Sequence, residues 1–150
     1  MRKLAFIPVL LLLLSSCMGR KVYDTYNHTF VSGWDKGEIL SYDVPRVKTT
    51  GKYTTMLGLR VSDAYPFQSL TLIVEQTVYP KKTTRKDTLN CQIYDSQGTI
   101  RGNGISYFQY HYQISEMSLQ AGDSIHVTVR HDMRREIVPG IADVGIEIAR

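Results

Sequence analysis

The stretch YTTMLGLRV, residues 53–61, decides the fold of this chain. In an extended chain, successive side chains point to opposite faces, so that every second residue lies on the same face. One face of this stretch then carries Tyr53, Thr55, Leu57, Leu59 and Val61, and the other carries Thr54, Gly58 and Arg60. A period of two residues is typical of a β-strand with one buried face. The stretch therefore predicts a strand whose odd-numbered residues enter a hydrophobic core.

Three further runs repeat this alternation, at residues 70–78, 125–130 and 144–148. Turn sequences separate the runs: Asp95 to Gly98 predicts a type I turn, and Pro139-Gly140 predicts a type II turn in which glycine takes a positive φ. No stretch has a convincing helical period. Seven or eight short strands at this spacing predict an all-β protein, an antiparallel β-sandwich of either immunoglobulin-like or jelly-roll topology.

The N-terminus has the features of an export signal. A basic start, Met1 to Lys3, precedes an apolar run from Leu4 to Leu14. This run is too short to span a bilayer, which takes about 20 residues. The sequence Leu14-Ser15-Ser16-Cys17 then resembles a lipobox, at which a peptidase cleaves between Ser16 and Cys17 and the Cys17 thiol carries a lipid. We expect a lipoprotein signal peptide at 1–16, a lipidated N-terminus and short tether at 17–21, and a single β-sandwich domain at 22–150.

Charge and processing together indicate the location and the class of partner. Removal of Arg2 and Lys3 with the signal lowers the formal net charge from +4 to +2, and the remaining basic residues are scattered. This pattern does not indicate a nucleic-acid partner. A lipid anchor makes the membrane itself a partner. Because no aspartate or acidic cluster follows Cys17, we expect the periplasmic face of the outer membrane.

The sequence offers little support for catalysis, a metal or a cofactor. Cys91 alternates with Leu89 and Ile93, which predicts a buried and unreactive thiol. His126 and His131 are five residues apart and so point to opposite faces of one strand, which prevents them from sharing a metal. No nucleophile-elbow sequence is present. We expect a protein that is not an enzyme; a hydrolase would need a serine, a histidine and an acid to converge in a cleft.

Aromatic residues suggest a second class of function, the binding of glycans by stacking. One face of the strand after Gly104 carries Phe108, Tyr110 and Tyr112 and is expected to be core. The other face carries Tyr107 and His111, which are candidate glycan-binding residues. Trp34, the only tryptophan, is a third candidate, although a lone tryptophan is more often a core residue.

The C-terminal run Met133-Arg134, Pro139-Gly140-Ile141 and Asp143-Val144-Gly145 resembles the closing signature of the gliding-motility lipoprotein GldH family. Trp34-Asp35, Leu59-Arg60 with Tyr65-Pro66, and the segment 98–104 are similar to that family in the same order. The candidate signature residues, for partner binding or for structure, are Met133, Arg134, Pro139, Gly140, Asp143 and Gly145. Physically, Asp143 is expected to cap the turn at Pro139-Gly140, and Gly145 to admit a neighbouring backbone.

The resemblance implies a non-enzymatic envelope protein that is accessory to the gliding or secretion machinery and that binds envelope proteins. A glycan-binding outer-membrane lipoprotein is the alternative. The resemblance also brings to attention Asp87-Thr88-Leu89 and Asp123-Ser124-Ile125, which look like sites of periplasmic O-glycosylation at Thr88 and Ser124.

Overall fold

The computed structural model describes residues 19–150, so the predicted signal peptide and the predicted cleavage site between Ser16 and Cys17 lie outside the described residues. The described residues contain no helix that could span a membrane. They form eleven β-strands: β1 (Lys21–His28), β2 (Trp34–Asp35), β3 (Leu40–Val44), β4 (Gly51–Ser62), β5 (Ser69–Tyr79), β6 (Thr83–Gln92), β7 (Asn103–Gly104), β8 (Tyr107–Leu119), β9 (Ser124–His131), β10 (Ile137–Val138) and β11 (Ile141–Ala149).

The strands form two antiparallel sheets. Sheet 1 has the order β1-β11-β4-β8-β7 and sheet 2 the order β3-β9-β5-β6, while β2 and β10 form a small separate ladder. Counted along the chain, the eight long strands have the order first-eighth-third-sixth in sheet 1 and second-seventh-fourth-fifth in sheet 2. This is the jelly-roll arrangement. The predicted β-sandwich is therefore confirmed, and of the two topologies left open the structure has the jelly roll.

The core lies between the sheets and follows the predicted alternation. Leu57 and Leu59 of β4, Val127 and Val129 of β9, and Ile146 of β11 are all fully buried. Each such side chain contributes roughly 1.5–3 kcal/mol relative to remaining exposed. The alternation of β8 shifts at a bulge, where Thr55 pairs with Ser115 but Met56 pairs with Gln113. The bulge buries both Ile114 and Ser115.

Both predicted turns are present. The Gly98 N–H donates to the carbonyl of Asp95 at 3.1 Å, which closes a β-turn over residues 95–98. Gly140 has a φ of 83°, the conformation that the second central position of a type II turn requires. Residues 80–82 form a hairpin turn between β5 and β6.

The sandwich has two ends that differ in what they present. The near end carries the start of β1, the end of β11 and the loops 45–50, 80–82 and 120–123. At this end Arg20 and Arg150 pair through two backbone hydrogen bonds of 3.0 Å. The far end carries the loops 29–33, 36–39, 63–68, 93–102 and 132–136 and the Pro139-Gly140 turn. Chain entry at residue 19 is thus at the near end, opposite these loops.

Candidate functional site

The outer face of sheet 1 carries a tyrosine seated on two glycines. Tyr26 of β1 pairs with Gly145 of β11, which pairs with Gly58 of β4. A Cβ on Gly145 would lie 2.6 Å from two ring carbons of Tyr26, and a Cβ on Gly58 would collide with the phenol group. Gln109 donates to the Tyr26 hydroxyl at 2.8 Å. The missing side chains therefore form a shallow trough that holds the Tyr26 ring against the sheet.

This arrangement corrects the expectation for Gly145, because a side chain rather than a backbone lies against it. The close backbone approach occurs instead at Gly140, where a Cβ would lie 2.8 Å from the Cα of Tyr65. Gly140 thus needs glycine both for its positive φ and for its contact with the loop after β4.

Asp143 joins β1 and β4 across the same face. One carboxylate oxygen contacts Nδ1 of His28, and the other lies 3.6 Å from an Nη1 nitrogen of Arg60. The Asp143 side chain is only 8% exposed, whereas the His28 ring is 87% exposed. The Arg60 guanidinium lies 4.9 Å from the centroid of the Tyr107 ring. The expectation that Asp143 caps the Pro139-Gly140 turn is wrong, since both carboxylate oxygens face neighbouring strands of the sheet.

The other signature residues divide between core and surface. The Met133 sulfur accepts the Thr71 N–H at 3.4 Å, and its carbonyl accepts a hydrogen bond from the Lys36 ammonium at 2.9 Å. Met133 therefore fastens the loop 132–136 to β5 and to the segment after β2. Arg134, next to it, is exposed.

Trp34 lies in the core. Its side chain is fully buried, its indole N–H donates to the carbonyl of Glu38 at 3.1 Å, and its ring meets His131 edge-on at 5.4 Å. The prediction that Trp34 is a candidate glycan-binding residue is therefore wrong, because no face of its ring is accessible for stacking.

Tyr107 and His111 are both exposed on the outer face of sheet 1, but they do not form one site. His111 lines a groove of about 530 Å³, and Tyr107 does not. Two parallel rings, Tyr110 and Tyr112, stack at 6.1 Å in the wall of this groove. Their hydroxyls donate to the carbonyls of Ile93 and Gln92. The groove is also lined by the polar side chains of Gln92, Arg101, Asn103 and Gln109.

The far end presents most of the exposed large apolar side chains among the described residues. Val31 is fully exposed, and the exposed fraction is 92% for Ile105 and 69% for Phe30. Ile39, Tyr107 and Ile137 are also about half exposed and lie at the same end, whereas the near end contributes only Val22 and Tyr79. Apolar side chains gathered at one end of a domain are typical of a surface that contacts another protein.

The sequence of the chain matches a known protein family. The family model described as GldH lipoprotein matches residues 21–148, from the first residue of β1 to within β11. The chain belongs to the GldH lipoprotein family. Gliding motility lipoprotein GldH of Flavobacterium johnsoniae is 32% identical over 144 residues, an alignment that covers 91% of this chain and 89% of the relative. A GldH homolog of Christiangramia forsetii is 23% identical over 150 residues, with 93% and 90% covered.

The GldH match thus includes every residue of the C-terminal signature. Among solved structures, the chain is similar to part of a family GH115 4-O-methyl-α-glucuronidase with specificity for decorated arabinogalactans. That similarity has 11% identity and a TM-score of 0.51; it covers 87% of this chain and 18% of the glucuronidase chain. At this identity the similarity concerns the fold alone.

Among the described residues, burial limits the chemistry of Cys91 and of His131. Burial raises the pKa of the Cys91 thiol to about 12, which keeps it protonated and unreactive. Burial lowers the pKa of His131 below its ordinary value of 6.5, and the ring contacts the Trp34 carbonyl at 3.1 Å. Among residues 19–150 there is no group of three or more His, Cys, Asp or Glu side chains suited to a metal.

One serine, one histidine and one acid do line a common shallow groove on sheet 2. The Asp43 carboxylate lies 2.6 Å from Nδ1 of His126, and Ser124 is two residues before His126 on the same strand face. The hydrogen bonds of the described residues include none between Ser124 and His126. Asp43 is 86% exposed, so solvent screens its charge. The groove therefore lacks the contact that would activate a nucleophile.

The structure also shows which residues of this GldH chain the sequence did not indicate. Tyr26, His28 and Arg60 organise the outer face of sheet 1, yet they lie on two strands, β1 and β4, that are distant in sequence. The sequence signal for this arrangement was the pair Gly58 and Gly145, because a glycine on the solvent-facing side of a strand leaves room for a neighbouring group. Nothing local indicates that this group is Tyr26.

Proposed function

We propose that this chain is a lipid-anchored, non-enzymatic protein of the cell envelope, accessory to the gliding-motility or secretion apparatus. It is held at the periplasmic face of the outer membrane through Cys17. It binds a protein partner through the far end of the sandwich. The observation that carries the proposal is the concentration of exposed apolar side chains at that end, with Val31 and Ile105 almost fully exposed.

The path of the chain supports this orientation. Arg20 is fixed to Arg150 by two backbone hydrogen bonds, and it is the third residue after Cys17. Three residues reach at most about 10 Å. A lipid on Cys17 would therefore hold the near end at the membrane and direct the far end toward the periplasm.

The signature residues support a role in shaping the far end. Met133 joins the loop 132–136 to β5, and Gly140 packs against Tyr65 in the neighbouring loop. Asp143 joins the ends of β1 and β4 that carry this surface. These contacts position the loop that presents Phe30 and the short strand β10 that presents Ile137, while Arg134 is exposed beside them.

The proposal is tested by affinity purification of the tagged chain from gently solubilised membranes, with partners identified by mass spectrometry. The variant pair Val31→Ser and Ile105→Ser should lose partners that the native chain retains. Val22→Ser, at the exposed near-end position, is the matched control and should retain them. Recovery of the native chain alone would contradict the proposal.

The groove beside His111 supports one alternative, a glycan-binding lipoprotein. Sugars bind where an aromatic ring lies beside amide and guanidinium groups, and the groove combines the half-buried Tyr112 with Gln109, Asn103 and Arg101. A glycan array that gives signal with the native chain, and none with His111→Ala and Asn103→Ala, would support this function. An array without signal would remove it.

O-glycosylation at Thr88 and Ser124 remains a proposal. Thr88 is exposed on the edge strand β6, and Ser124 is half-buried at the start of β9. An intact mass equal to that of the lipidated polypeptide would refute it.

A further inference from the structure

The near end of the sandwich carries a cleft of about 390 Å³ lined by five basic side chains and no acidic one. Arg46 and Lys48 extend from the loop between β3 and β4, and Arg20, Lys21 and Arg150 come from the paired chain ends. Three strand ends thus bring charges from distant parts of the sequence to one place. Lys81 and Lys82 lie in the β5–β6 turn at the same end.

These charges are largely uncompensated. Of the five cleft residues, only Lys21 forms salt bridges within the described residues, to Asp24 and Glu147. The acid in the adjoining loop, Asp123, is 6% exposed, and its carboxylate accepts the Gln120 N–H. Arg20, Arg46, Lys48 and Arg150 form no salt bridge with any residue in the range 19–150. A cleft of one sign of charge raises the local concentration of counter-ions.

We propose that this cleft and its rim dock the near end on an anionic membrane surface, with the basic side chains binding lipid phosphates. The proposal rests on the anchor at Cys17 proposed above. Because the tether from Cys17 to Arg20 spans at most about 10 Å, the cleft lies within about a Debye length of the headgroups. At that distance unpaired lysine and arginine side chains are attracted to anionic lipids.

Docking at the near end would add a second membrane contact to the lipid. It would fix the sandwich upright, with the far end presented to the periplasm, rather than free to tilt about the tether. The orientation of the partner-binding surface would then depend on the charge of the membrane.

The test uses the chain from residue 17 with Cys17→Ser, so that no lipid contributes to binding. Every described strand lies within 21–149, and this form retains all of them. Co-sedimentation is measured with vesicles of phosphatidylcholine alone and of phosphatidylcholine with phosphatidylglycerol. The protein should bind the anionic vesicles and be released by salt, because screening weakens the attraction.

Arg46→Gln and Lys48→Gln change a surface loop without touching the core. Each lost charge should weaken binding to the anionic vesicles roughly fivefold, and the pair about 25-fold. Arg130→Gln with Arg135→Gln removes the same charge toward the far end and should leave binding unchanged. Equal binding to neutral vesicles, or equal loss in this control, would overturn the proposal.

Binding of inorganic phosphate in the cleft without affinity for vesicles would also overturn it and would indicate a soluble anion. The vesicle assay contains no partner protein, so its failure leaves the partner-capture experiment unaffected. Recovery of the native chain without partners, together with intact vesicle binding, would count against the proposed function alone.

Discussion

Tyr26 lies against Gly145, and a Cβ at residue 145 would fall 2.6 Å from the ring carbons of Tyr26. This contact joins the first long strand, β1, to the last, β11, and so fastens the edge strand β1 to sheet 1. Gly58 extends the same trough to β4. The glycine of the family signature thus has a physical role in the fold.

Gly145→Ala should destabilise the chain by about 1–3 kcal/mol, because the new methyl group displaces the Tyr26 ring. In a Tyr26→Ala background the same change should be neutral or should stabilise by about 0.5 kcal/mol, since glycine within a strand is less stable than alanine. Urea unfolding of the four proteins of this double-mutant cycle measures the coupling. Equal effects in both backgrounds would refute the contact.

Burial of His131 predicts a pH-dependent stability. Because the folded pKa is lowered below 6.5, the unfolded chain takes up a proton before the folded chain does. Stability is therefore complete above about pH 6.5 and is lost as the pH falls through the lowered pKa. Urea unfolding between about pH 7.5 and about pH 5.5 should show this loss in the native chain and a smaller loss in His131→Asn. If the free energy of unfolding fell with pH as steeply in His131→Asn as in the native chain, the pH dependence would not come from His131.

Cys91 should be inert in the folded protein. Its side chain is 1% exposed, and burial raises the pKa of its thiol to about 12. In the chain with Cys17→Ser, Ellman's reagent should label Cys91 only on unfolding, at a rate that follows the urea transition. Rapid labelling without denaturant would show that the thiol is accessible.

Trp34 should report on the core and on nothing that binds outside it. As the only tryptophan, fully buried, it should emit at short wavelength and resist quenching by acrylamide until the chain unfolds. Addition of glycans should leave its emission unchanged. A shift of emission with a glycan would place a ligand near the Trp34 ring and contradict its burial.

Strand faces and turns could be predicted from the sequence, because they depend on residues that are neighbours along the chain. The alternation at residues 53–61 identified the buried face of β4, and the turns at Asp95 and Pro139 were located from residue types alone. Alternation reports the faces of a strand but not its partners, and for this reason the jelly roll could not be distinguished from an immunoglobulin-like sandwich. Within β8 the bulge at Ser115 changed the phase that the pattern indicated.

The site was less predictable, because its contacts join residues far apart in sequence. Asp143 was expected to serve the turn beside it, but it contacts His28, 115 residues away. Gly145 and Trp34 were similarly interpreted from local sequence. Their true neighbours, Tyr26 and His131, are brought to them by strand pairing and core packing.

In the proposed function, a protein partner binds the far end of a lipid-anchored sandwich. The most direct measurement is site-specific photocrosslinking in living cells, with a photoreactive residue at Val31 or Ile105 and, as control, at Lys86 on the outer face of sheet 2. We expect a defined crosslinked envelope protein from both far-end positions and none from Lys86. Crosslinks of equal yield from Lys86, or none from either far-end position, would contradict it.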